Sequence, residues 1–234
     1  MDSFLTPILV SLEVSLWSLG IAWPGAILLA WFFATRDFRG KSFFLSLMMM
    51  PAVMPPLVIG YLLLLALRPQ SPLGGFLAAW GIQVPLTQKG AILAAMVVGW
   101  PYLFAHARQA FLSMDRRLLE AAANLGVSPA RCLVKIAIPL VLPGILTGGL
   151  LAWARGLGEF GATLVLAGSI PGETQTITLR IYQLMESPLR EKEAWILVGW
   201  LLLWVILVLA WVETVSRTRR FWQPGPGKGQ EEDF

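Results

Sequence analysis

The sequence predicts an all-α integral membrane protein with about five transmembrane helices. Three observations predict it. Apolar residues make up 56% of the 234 positions and charged residues only 14%, too little charge to cover a soluble globule of this size. Several apolar runs approach the ~20 residues a helix needs to cross a hydrocarbon core. Between two of those runs lies a polar, helix-prone interruption from Met114 to Pro143. The expected organisation is one transmembrane domain over residues 1–215 and a disordered tail over 216–234, basic first and then Pro/Gly-rich and acidic. The net charge of +4 is modest and calls for no nucleic-acid partner. Cys132 is the single cysteine, so neither an intramolecular disulfide nor a cysteine-based metal cluster is expected.

The first span is expected over Ile8 to Ala34. Its start, MDSFLTP, lacks the basic region and cleavage site of a secretory signal, so it reads as a retained anchor. Pro24-Gly25 predicts a local kink, and Glu13 lies close enough to the outer surface to stay hydrated. The second span, Phe43 to Leu67, contains MMMPAVMPPLVIGY. Pro51, Pro55 and Pro56 each lack an amide donor, which makes a straight helix unfavourable there. That leaves two readings, a flexible segment near a transport path or a kinked packing helix. A turn-rich stretch with a short interfacial piece, FLAAW, follows, and a third span covers Gly90 to Phe111. His106 near its end has no second histidine or carboxylate nearby and reads as structural.

The interruption itself reads as two short helices. Arg116 to Leu125 is rich in strong helix formers, Gly126 supplies a stop, and Ser128-Pro129 supplies an N-cap followed by a proline at the first helical position. Pro139 and Pro143 mark the entry to a fourth span, Leu140 to Ala167. Along it Gly144, Gly148, Ala152 and Gly156 draw a stripe of small residues, which marks a helix–helix contact within the subunit or between copies. Gly168 to Glu193 is polar with a short helix around Thr178 to Met185. The last span, Ala194 to Val215, carries Trp195, Trp200, Trp204 and Trp211 as interfacial anchors.

Five spans place segments 35–42, 108–139 and 216–234 on one side, and these hold twelve of the 18 basic residues. The excess of Lys and Arg predicts that this side is cytoplasmic, with the N-terminus outside and the C-terminus inside.

Catalysis would need a nucleophile with its base, a paired acid and base, or a metal cluster. One histidine and one cysteine offer no such set, and no G-x-x-x-x-G-K-S/T phosphate loop occurs. The expectation is a chain without catalytic groups, cofactor or metal; if ATP powers it, a partner hydrolyses it. The notable intramembrane pair is Arg155 and Glu159 in WARGLGEFGAT, four residues apart on one expected helix face. An unpaired charge near mid-span would cost at least ~2.5–3.5 kcal/mol. The pair therefore reads either as part of a translocation path or as a self-neutralised packing element.

Two motifs carry a resemblance. Glu120, Ala121, Ala122, Gly126, Ile136, Ile138 and Pro139 fit the spacing EAA-x3-G-x9-I-x-L-P, with Ile138 where Leu is usual. That spacing resembles the cytoplasmic coupling loop of permease subunits of bacterial ABC importers. GLGEFGATLVLAGSIPGETQTI, Gly156 to Ile177, and VMPPLVIGY, Val53 to Tyr61, are similar to molybdate ABC transporter permeases. Sulfate permeases typically carry GEYG-type variants where this chain has Gly158-Glu159-Phe160-Gly161. The resemblance implies a type I importer fold and a homodimer. It implies coupling of each loop to a cassette ATPase subunit, and delivery of molybdate or tungstate by a periplasmic binding protein. It also places Arg155, Glu159, Phe160, Gly161, Pro55 and Pro56 at the path or gate. A sulfate or thiosulfate permease is the alternative of the same class. A non-transporting membrane scaffold or sensor that docks the ATPase is the alternative of another class.

Overall fold

A computed structural model describes residues 2–187 and 190–221. Among them every regular element is helical. The long first helix, α1, is Asp2–Thr35 and runs without interruption through Pro24. Next come α2 (Lys41–Val53), α3 (Pro56–Leu67), the short α4 (Pro72–Ala79) and α5 (Gln88–Leu112). The polar interruption forms α6 (Arg116–Asn124) and α7 (Pro129–Cys132), then a single π turn, Leu133–Ala137, leading into α8 (Ile138–Leu157). The chain closes with α9 (Gly161–Ala167), α10 (Ile177–Met185) and α11 (Glu191–Phe221).

Four helical stretches are long and apolar enough to cross a membrane, and α2 with α3 makes a fifth if counted as one span. The proline-rich segment does more than kink. Its two halves meet at 113°, because Pro55 and Pro56 cannot donate to the carbonyls of the preceding turn. Leu45, Met48 and Met49 of α2 share a cluster with Phe104, Ala107 and Phe111 in the C-terminal half of α5. Ile59 and Leu67 of α3 share another with Ala94 and Val98 in its N-terminal half. The bent pair thus packs α2 against the C-terminal half of α5 and α3 against its N-terminal half.

Helix α5 is the hub, packed by α1, α8, α9 and α2. Its Ala91, Ala94, Ala95, Ala107 and Ala110 are buried, and small side chains let helix axes approach closely where lipid offers no hydrophobic drive. The α8 stripe belongs to this contact. A Cβ on Gly148 would fall 2.7 Å from the His106 Cβ, and one on Gly99 would fall 3.0 Å from the Ala152 carbonyl oxygen. The small-residue stripe therefore packs within the subunit. His106 donates its Nδ1 proton to the Tyr102 carbonyl at 2.8 Å, as expected of a structural histidine. At the edge, α11 leaves Leu202, Ile206, Leu209 and both terminal tryptophans, Trp195 and Trp211, exposed. Trp200 and Trp204 turn inward instead. Trp204 meets Trp153 edge-on at 5.2 Å and Trp200 at 5.6 Å.

Several boundaries differ from the sequence reading. The fourth span does not continue to Ala167 but breaks at Gly158–Phe160, where Gly158 ends α8 and Glu159 leaves the helix. The second short helix does not stop before that span: Pro129–Leu157 is one helical stretch of 29 residues. Pro139 has no amide for the Lys135 carbonyl, and the chain widens into a π turn in which Ile138 N–H reaches the Leu133 carbonyl. Ser128 takes the N-cap position of α7 without a side-chain bond, whereas Asp115 caps α6 by accepting from Arg117 N at 2.9 Å. The helix α11 extends to Phe221, into the segment expected to be a disordered tail, and the rest of that tail lies outside the described residues.

Candidate functional site

The break between α8 and α9 is built from polar groups that a continuous helix would not need. Arg155 lies in the last turn of α8, where a cation complements the carbonyl end of the helix. Its Nη1 donates to Glu159 Oε2 at 2.8 Å. Glu159 Oε1 accepts from Ala162 N at 2.8 Å, so the same carboxylate caps the start of α9. The Glu159 side chain is 1% exposed and that of Arg155 is 28% exposed. A buried carboxylate is costly unless paired and hydrogen-bonded, and here both conditions are met. The Glu159 carbonyl accepts from Thr178 Oγ1 at 2.7 Å, tying the break to the start of α10.

A ladder on α1 holds that junction from the other side. Ser11 Oγ accepts from Ile177 N at 2.7 Å, and Ser15 Oγ accepts from Trp153 Nε1 at 2.8 Å. Ser18 Oγ donates to the Ser15 carbonyl at 2.8 Å and lies beside Gly156. The three serines are buried at i, i+4 and i+7. That spacing was visible in the first span and is the signal the sequence reading passed over. Thr163, 1% exposed, has a hydroxyl without a hydrogen-bond partner among the described residues.

The two broken helices meet. A Cβ on Gly161 would lie 3.1 Å from Leu57 N and 3.5 Å from the Pro56 Cβ. One on Gly60 would lie 2.7 Å from the Ala162 carbonyl oxygen, so only glycine fits at this crossing. Phe160 stacks obliquely on Tyr182 at 5.2 Å. Arg155, Glu159, Phe160, Gly161 and Pro56 thus belong to one neighbourhood, and Pro55 is the N-cap of α3 at its edge.

The motif of the polar interruption forms a separate surface. Gly126 adopts φ +73°, a conformation side-chained residues rarely take, and reverses the chain after α6. Glu120 and Ala121 are exposed while Ala122 is buried, so the two alanines face opposite ways. Leu118 is 44% exposed and Leu125 is 83% exposed, an unusual placement for leucine on a charged helix. Leu119 and Glu120 border a cleft of about 180 Å³ against Thr35, Phe111 and Met114. Ile136 and Ile138 are half-buried in and beside the π turn, and Pro139 is exposed. From Pro129 to Arg155 the helical stretch spans roughly 40 Å, so the interruption and the break sit on one rod. No group of three or more potential metal ligands occurs among the described residues.

A family model described as the binding-protein-dependent transport system inner membrane component matches residues 24–220. The chain is 41% identical over 185 residues to the molybdenum transport system permease protein ModB of Haemophilus influenzae, covering 79% of each. With ModB of Escherichia coli the identity is 38% over 216 residues, covering 91% of this chain and 94% of that one. With the putative molybdenum transport system permease protein YvgM of Bacillus subtilis it is 35%, covering 80% and 82%. Among solved structures, a bacterial ABC transporter involved in alginate import aligns with a TM-score of 0.69 at 18% identity, covering 96% of this chain and 81% of that one. The inward-facing methionine transporter MetNI aligns with a TM-score of 0.65 at 16% identity, covering 95% and 97%. These two share the fold. The chain belongs to the family of binding-protein-dependent transport system inner membrane components, multi-pass permeases of ABC importers.

Proposed function

We propose that this permease carries molybdate, or tungstate, into the cytoplasm, driven by a separate cassette ATPase and supplied by an extracytoplasmic binding protein. The observation that carries the substrate is the likeness to molybdenum transport permeases over most of the chain. Arg155 supplies suitable chemistry. Its guanidinium is partly exposed and tempered by its pairing with Glu159, so a dianion would be attracted without being trapped. Phe160 and Gly161, with Pro55 and Pro56 of the second break, complete the proposed path or gate.

Two copies of the chain would enclose that path. The N-terminus lies outside and the C-terminus inside, as the distribution of Lys and Arg favours. The exposed Leu118 of α6 and Leu125 at its C-cap lie either side of Glu120 and Ala121 and suit insertion into a groove of the ATPase. Gly126 sets the turn. The π turn with Ile136, Ile138 and Pro139 joins the docked segment to α8, so ATPase movement is delivered to the Arg155 end of the rod. The ATPase state then biases the permease only through contacts that differ between its two arrangements.

The test is ATPase activity of the complex in liposomes with permease, ATPase and binding protein. Stimulation by molybdate and tungstate but not by sulfate supports the reading. Stimulation by sulfate moves the substrate to the sulfate or thiosulfate class. No stimulation by any of the three in an assembled complex keeps the docking loop and overturns the cargo.

A further inference from the structure

Away from the helix breaks, and sharing Thr35 with the cleft that Leu119 and Glu120 border, the turn between α1 and α2 joins positive charge to exposed aromatic surface. Trp31, Phe32, Thr35, Arg36, Asp37 and Phe38 line an open cleft of about 500 Å³. Thr35 ends the first span and Lys41 begins α2, so the cleft sits where the apolar span gives way to a charged turn. The turn holds three basic residues, Arg36, Arg39 and Lys41, against one acid, Asp37. Lys41 Nζ donates to Asp37 Oδ1 at 2.7 Å and to the Arg36 carbonyl at 2.8 Å, so the acid is answered within the turn by the lysine. The Thr35 hydroxyl is committed to the Trp31 carbonyl at 2.9 Å. Arg36 lines the cleft, Arg39 is next in the chain after Phe38 of its lining, and both arginines are exposed. On the membrane side, Phe32 is 46% exposed, Phe43 69% and Phe44 45%. Phe38 contacts Phe32 at 5.5 Å and Phe44 at 6.2 Å, which holds this aromatic surface to the turn.

We propose that this cleft binds an anionic phospholipid, its phosphate held by Arg36 and Arg39 and its acyl chains laid over Phe32, Phe43 and Phe44. The charge excess of the turn complements a lipid of net negative charge and gives no such advantage to a zwitterionic one. A guanidinium forks two N–H donors toward phosphate oxygens, a geometry an ammonium lacks. The arrangement also matches depth: apolar surface begins where the arginines end, as phosphate gives way to acyl chain.

The experiment is native mass spectrometry of the full chain in detergent, titrated with phosphatidylglycerol or phosphatidylethanolamine. The wild type is expected to retain phosphatidylglycerol preferentially. The double variant Arg36→Gln/Arg39→Gln is expected to lose that preference, with each arginine worth about fivefold. Arg36→Lys/Arg39→Lys is expected to keep only the part that charge alone supplies, and Arg68→Gln, remote in the fold, all of it. Thermal unfolding of each variant reports that it is folded. Equal retention of both lipids by the wild type overturns the proposal, as does undiminished phosphatidylglycerol binding by a folded double Gln variant. Loss of ATPase-subunit assembly in that variant, with lipid retention unchanged, assigns the cleft to a protein contact and overturns it equally.

Discussion

Arg155 and Glu159 are joined at 2.8 Å across the end of α8, yet only Arg155 belongs to that helix. The carboxylate faces two ways. It neutralises a cation at the carbonyl end of one helix and caps the amide end of the next. Removing it leaves both helix ends and a guanidinium without their partner. Glu159→Ala is therefore expected to destabilise by about 3–5 kcal/mol, read as a lowered unfolding temperature. An unfolding temperature equal to wild type would show that the break does not depend on this carboxylate.

Arg155→Gln separates transport from packing. The prediction is an assembled complex whose molybdate-stimulated ATPase activity falls about tenfold or more, the scale of one charge-assisted hydrogen bond. If the variant instead fails to assemble with the ATPase, Arg155 is a packing element and the path lies elsewhere.

Ser11→Ala deletes the acceptor of the Ile177 amide, which is buried beneath α1. An unpaired buried amide costs about 1–3 kcal/mol, so the unfolding temperature should drop while ATPase docking persists. Hydrogen exchange at Ile177 gives the local readout. Protection as strong as in the wild type would mean another group has taken over the amide.

Gly60→Ala introduces a Cβ 2.7 Å from the Ala162 carbonyl oxygen, backbone against backbone. Overpacking of this kind costs about 1–3 kcal/mol, and α3 and α9 must separate to accept it. Gly20→Ala meets nothing within 4 Å and serves as the control. Equal stability of the two variants would contradict the close crossing.

Pro139→Ala restores an amide where the π turn now compensates for its loss. With the turn free to tighten to α geometry, α7 rotates relative to α8. ATP hydrolysis should continue but lose its dependence on molybdate. A wild-type ratio of stimulated to basal hydrolysis would show that the π turn plays no part in coupling. Gly126→Val, placed at φ +73°, should uncouple in the same assay for a different reason, because a β-branched residue resists the left-handed turn.

Much of the fold is legible along the chain because its signals are local. Apolar length places α1, α5, α8 and α11, the prolines announce the break after α2, and Gly126 announces the turn after α6. The Arg155–Glu159 spacing announces an interaction but misplaces it inside one helix. Nothing local distinguishes a Glu that continues a helix from one that leaves it to cap the next. The Ser11, Ser15 and Ser18 spacing was present in the sequence, but its partners Ile177 and Trp153 lie more than a hundred residues away.

By itself, then, the sequence determined the membrane class, the apolar segments long enough to cross and the residues at which helices fail. Composition, proline chemistry and spacing each act over a few turns of chain, and such signals survive without a partner. Only the tertiary structure decided that the two failures adjoin at Gly161 and Leu57, that the glycine stripe of α8 faces α5, and that Glu159 serves two helix ends. Each of those is a choice of neighbour through space, made by close packing and by satisfying buried polar groups against distant chain.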